Sequence, residues 1–141
     1  MRLIAHRGNT EGEQKLLENH PNYICNTIEQ GFDVEVDVWI TDNIYFGHDG
    51  PDYKCSMNFL VSRADKLWIH CKNLRALEIL NGIRSLNVFW HQKDDYTLTS
   101  KGYIWTYPNK SVCEKSVIVT NDATKYSGEN CFGLCSDILI R

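Results

Sequence analysis

The most regular stretch of the chain is Asp33-Val34-Glu35-Val36-Asp37-Val38, where acids and valines alternate with period two. That is the period of a strand, so Val34, Val36 and Val38 share one face while Asp33, Glu35 and Asp37 share the other. Trp39 and Ile40 follow at once, as expected of a strand buried on both sides. Thr41-Asp42-Asn43 then predicts a turn into a hairpin partner at residues 44–47, which delivers His48 and Asp49 beyond its end.

Elsewhere the apolar runs are short and rich in β-branched and aromatic residues, which predicts strands at residues 2–5, 67–72, 88–91, 103–107, 117–120 and 134–140. Two helices are predicted between the early strands. One starts at Pro21, capped by Asn19 or His20, with Tyr23, Ile24, Thr27 and Ile28 on one face and Gly31 at its end. The other runs over residues 74–80, with Leu74, Leu77, Ile79 and Leu80 as its apolar stripe and Gly82 as the stop. Strand, helix, strand, helix, strand predicts parallel pairing with right-handed crossovers. Beyond Gln92 the helical signal fades.

Composition narrows the function classes. The 141 residues are 43% hydrophobic and carry 18 Asp+Glu against 15 Lys+Arg, a net charge of −3. This is a globular composition for one domain over residues 1–141, and it lacks the positive field of a nucleic-acid binder. No run is long enough for a membrane span, and the first residues show no apolar core of a signal peptide, so a cytoplasmic protein is expected. Six cysteines form no Cys-x-x-Cys pair and are expected as free thiols. Cys131 and Cys135 are the nearest pair; a structural zinc role is the weakest of the readings, and small buried hydrophobes is the ordinary one.

The candidate chemistry gathers at strand ends. Glu35 and Asp37 project from one strand face, and buried paired carboxylates hold a metal or work as acid and base. His6-Arg7-Gly8 closes the first strand, where α/β sheets place their sites; Arg7 offers a planar fork for phosphate and His6 a proton-transfer group. His48 stands at another strand end. His70 and Lys72 share one face of a third strand, and an interior lysine needs an anionic partner.

Taken in order, His6-Arg7-Gly8, Glu18-Asn19, Glu35-x-Asp37, His48-Asp49 and Lys72 resemble the motifs of the glycerophosphodiester phosphodiesterase family, within the phosphatidylinositol-phospholipase-C-like superfamily. Trp105-Thr106 and Cys135-Ser136-Asp137 resemble its later strands less closely. The resemblance implies a metal-dependent hydrolase of glycerophosphodiesters or similar small phosphodiesters, with ties to lipid metabolism. His6 and His48 would be general base and acid, and Arg7 and Lys72 would offset phosphoryl charge. Glu35, Asp37 and His70 would bind the metal, and Glu18, Asn19 and Trp105 the substrate. The family's metal is Mg²⁺ or Ca²⁺, but it usually has glutamate where His70 stands, and imidazole with two carboxylates suits Mn²⁺ or Zn²⁺. A non-catalytic module that binds a phosphate ligand is the alternative reading.

Length sets the expected fold. A (β/α)₈ barrel takes about 250 residues, so the expectation is a reduced TIM-type (β/α) barrel with about seven or eight strands, its later helices shortened or missing. The outer face this would leave exposed is one that a second copy could cover in a homodimer.

Overall fold

The computed structural model describes residues 1–128 and 130–141. Its ten strands form one mixed sheet. They are β1 (Arg2–His6), β2 (Asp33–Ile40), β3 (Ile44–Phe46), β4 (Tyr53–Cys55), β5 (Leu67–Cys71), β6 (Val88–Phe89), β7 (Tyr96–Leu98), β8 (Ile104–Thr106), β9 (Ser116–Val119) and β10 (Gly133–Ser136). The helices are α1 (Pro21–Glu29), α2 (Met57–Ser62) and α3 (Leu74–Asn81), with one 3₁₀ turn at Ala123–Lys125.

A parallel run in the order β6-β5-β2-β1-β10-β9-β8 forms the body of the sheet. Antiparallel pairs extend it: β3 and β4 from the upper part of β2, and β7 from β8. The period-two reading of β2 holds residue by residue. Val34, Val36 and Val38 are fully buried in a core with Ile24 of α1, Ile69 of β5 and Leu80 of α3. Asp33, Glu35 and Asp37, also buried, face the other way. Each such buried valine contributes about 1.5–3 kcal/mol, so a one-residue slip, which would exchange valines for carboxylates, is strongly disfavoured.

The opposite face carries a second, aromatic core of Ile4, Trp68, Phe89, Trp105, Val117 and Cys135. Phe89 of β6 stacks on Trp105 of β8 with centroids 4.7 Å apart, so the two ends of the parallel run bend toward each other. They share no ladder. The gap is crossed by Ser100, whose backbone N–H donates to the Val88 carbonyl and whose Oγ accepts from the Val88 N–H, both at 2.8 Å.

The expected TIM-type (β/α) barrel is therefore overturned: among the described residues the sheet is mixed, its ladder stays open, and only three short helices pack on it. The reason lies in the connections. Residues 107–115 join β8 to β9 with no helix, fewer than the dozen or so a helical crossover needs, and among the described residues of the 120–132 connection from β9 to β10 there is one 3₁₀ turn. The polar segment after β6 makes the short edge strand β7 instead.

The two predicted helices form. His20 caps α1, its Nδ1 accepting from the Asn22 N–H at 3.1 Å, and Asn73 caps α3. The stripe assigned to α3 is shifted, since Ala76 and Leu80 are buried while Leu74 is 76% exposed. Leu74 is the first helical residue, just after the Asn73 cap. The strand expected at residues 134–140 ends at Ser136. Among the described residues no helix is long and apolar enough to cross a membrane.

Candidate active site

At the C-terminal ends of the parallel strands lies a cavity of about 880 Å³. One side is lined by His6, Arg7, Glu35, Asp37, His48 and His70, and the other by Lys72, residues 91–94, Trp105 and Tyr107. Parallel register brings the groups together: His6 lies opposite Glu35, and Asp37 opposite His70. His48 arrives from the hairpin, whose end is held by Trp39 Nε1 donating to the Gly47 carbonyl at 2.7 Å.

Glu35, Asp37 and His70 each bring one ligand atom to a point where all lie within 4.8 Å of one another. His70 Nδ1 stands 3.1 Å from Asp37 Oδ1 and 3.8 Å from Glu35 Oε2. Its Nε2 lies 3.2 Å from the His91 carbonyl oxygen. A carbonyl can only accept, so Nε2 donates to it; Nδ1 donates to Asp37 in the doubly protonated ring and, in the neutral ring, turns a lone pair toward the two carboxylates, as a cation held between them would require. Glu35 Oε1 is buried with no hydrogen-bond partner. Three lone-pair donors and an unpaired carboxylate oxygen suit a divalent cation, and the residues fit one.

The two acids are tuned apart. Burial, reinforced by the Asp37 charge, raises the Glu35 pKa against the pull of His6, His70 and Arg7. Burial would raise Asp37 too, but hydrogen bonds from His70 and Asn19 and the charges of His70 and Arg7 outweigh it and lower its pKa. Asn19 grips Asp37 twice: its Nδ2 donates to Oδ2 at 2.9 Å and its Oδ1 accepts from the Asp37 N–H at 3.0 Å.

His6 is the best-held histidine. Its Nδ1 donates to Asp137 Oδ1 at 2.9 Å, leaving Nε2 directed at the cavity and 3.9 Å from Glu35 Oε1. Burial lowers the His6 pKa, but Asp137 and Glu35 raise it further, so the net shift is upward. Asp137 in turn accepts from Asn9 Nδ2 at 2.8 Å, and Asn9 Oδ1 accepts from Tyr23 Oη at 3.1 Å. His48 is held more loosely, paired through Nδ1 with Asp49 at 2.8 Å, its ring 43% exposed.

Arg7 adopts a left-handed backbone, φ 55°, as does Asn19 at φ 66°; such strain collects at functional sites. The Arg7 guanidinium lies 3.1 Å from Glu18 and 3.3 Å from Asp37. Gly8, at φ 96°, could not be another residue, because a Cβ would lie 2.7 Å from the Tyr23 ring.

Of the residues singled out in the sequence, His6, Arg7, Glu35, Asp37, His48, His70, Lys72 and Trp105 all line the cavity. Trp105, 6% exposed, lines it while stacking on Phe89. Glu18 and Asn19 stand behind it as partners of Arg7 and Asp37, and with Arg7 and His48 they border a smaller cavity of about 390 Å³. The residue pattern gives Asp137 no role beyond the Ser-Asp pair after the last strand, and gives His91 only a place in the aromatic, polar run over residues 89–96, whose rings and polar groups suit the wall of a sugar or glycerol pocket. Cys135 is buried and Cys131 half-buried, all six thiols are free, and no cysteine joins a ligand cluster among the described residues.

No family model, curated protein or solved structure matches the chain. The function is therefore argued from the site itself.

Proposed function

We propose that the protein is a metal-dependent hydrolase of small phosphodiesters, the glycerophosphodiesters being the class its motifs resemble. The observation that carries this reading is the convergence of a cation-ready carboxylate pair with an aspartate-held histidine, His6 Nε2 lying 3.9 Å from the unpaired Glu35 Oε1. Glu35, Asp37 and His70 would hold the cation, and the mixed nitrogen and oxygen donors favour Mn²⁺ or Zn²⁺ over Ca²⁺. When bound, it supplies Lewis-acid polarisation of a phosphoryl oxygen.

The chain's own groups then divide the work. Asp137 keeps the His6 proton on Nδ1, so Nε2 is free to take the proton of the attacking hydroxyl. His48, on the hairpin side, gives a proton to the departing alcohol oxygen as the ester bond breaks. Lys72 and the outer guanidinium nitrogens of Arg7 offset the negative charge that grows on the phosphoryl oxygens.

A second reading, phosphate binding without turnover, draws support from His48, whose partner Asp49 is 97% exposed at its side chain and so holds the ring weakly. One experiment separates the two. Hydrolysis of glycerophosphocholine by the Mn²⁺-supplemented protein, lost in His6→Ala and in His48→Ala variants that keep the native circular dichroism, supports the enzyme. Turnover retained in both variants sinks it, and tight phosphate binding with no turnover in the native protein favours the second reading.

A further inference from the structure

The cavity is larger than the reaction centre requires. At about 880 Å³ it lies in the range of about 300–1,000 Å³ that holds a whole small molecule. The proton-transfer histidines and the carboxylate pair occupy the side toward β1, β2 and β3. The remaining wall comes from Lys72, just after β5, and residues 91–94, just after β6.

Three observations give that wall a chemistry. The Lys72 and Lys93 ammonium groups face no carboxylate partner among the described residues, although both residues line the cavity. His91 Nδ1 is buried there without a hydrogen-bond partner, and a buried polar atom left unpaired by the protein calls for a ligand or water. Asp94, the one acid of the segment on the cavity, is turned onto its own loop: its Oδ2 accepts from the Gln92 N–H at 3.2 Å and lies 3.8 Å from His91 Nδ1.

Two unpaired cations and an unpaired imidazole nitrogen are the complement of an oxyanion. We infer that this wall is a subsite for a second phosphate, carried on the alcohol portion of the diester, with His91 and Lys93 setting the preference and Lys72 lying between the two phosphates. The inference rests on the phosphodiesterase reading and narrows its substrate to diesters of phosphorylated alcohols.

Isothermal titration of the Mn²⁺-supplemented protein with propane-1,3-diol monophosphate and bisphosphate tests it. The bisphosphate should bind about tenfold more tightly or better, the worth of one or two charge-assisted hydrogen bonds. In a His91→Asn/Lys93→Ala double variant that advantage should fall below about threefold, with monophosphate affinity changed less than about twofold. A native protein without the advantage, or a double variant that keeps it, overturns the subsite. If the monophosphate binds and the bisphosphate gains nothing, the subsite alone fails; if neither binds, the phosphodiesterase reading fails with it.

Discussion

The inner face of β2 carries three carboxylates two residues apart, and its two ends treat them differently. At the closed end Asp33 is fully served: Trp68 Nε1 donates to it at 3.0 Å, Arg2 lies at 3.3 Å and Lys66 at 3.9 Å. At the open end Glu35 keeps an oxygen without any hydrogen bond, although both acids are almost fully buried. Same strand and same face thus give one acid whose oxygens are all served and one that keeps an oxygen open. The difference is whether a neighbour donates a proton. Asp33 meets N–H donors on both oxygens, whereas Glu35 Oε1 meets none and its other oxygen shares His70 Nδ1 with Asp37.

The largest effect that would break this comparison is at Glu35. Glu35→Gln should abolish stabilisation by Mn²⁺ in a thermal melt and reduce phosphodiester hydrolysis by roughly a thousandfold, while the metal-free protein melts no lower than the native one. A metal-induced shift that survives the substitution would make Glu35 an ordinary buried acid. Asp137→Asn should come next, slowing turnover about a hundredfold with little change in metal affinity, because it releases the His6 ring and not the carboxylate pair.

Asp137 also carries a pH signature. Burial acts to raise its pKa, but the His6 and Asn9 hydrogen bonds and the charges of His6 and Arg7 prevail and lower it. A lowered folded-state value contributes stability above the ordinary aspartate pKa of about 3.9, and that contribution is lost as pH falls through the folded value. The Asp137→Asn protein should therefore lose less stability than the native one when urea midpoints are compared on descending below about pH 4; parallel curves would contradict this.

At the closed end the expectation reverses. Asp33→Ala should cost about 2 kcal/mol in urea unfolding, the price of leaving the Trp68 indole unpaired, and should leave kcat nearly unchanged. A large loss of turnover without a loss of stability would erase the distinction between the ends. The smallest effect belongs to Asp49→Asn, which removes an exposed partner of His48 and should alter kcat less than about twofold.

The sequence made the open end largely legible, because alternation on β2 assigns both faces and the motifs fall at strand ends. What it hid has local causes. β4 and β7 are three residues each, Tyr53–Cys55 and Tyr96–Leu98, too short and too polar for periodicity to register. α2 is a six-residue helix capped by Ser56, again below the length at which a stripe forms. The open ladder depends on connection lengths and on the packing of Phe89 against Trp105, which no local pattern encodes. Asp137 reaches His6 across 131 positions of chain, and His91 acts on the carboxylate site through its backbone carbonyl, an atom every residue possesses.

That carbonyl has a thermodynamic consequence. Through one hydrogen bond of 3.2 Å, His70 Nε2 to the His91 oxygen, the segment that would grip a ligand also fixes the tautomer of a residue that would grip a cation. Two binding events that share such a strut are linked, and linkage is reciprocal. Whatever anion orders residues 91–94 should tighten the cation by the same factor by which the cation tightens the anion.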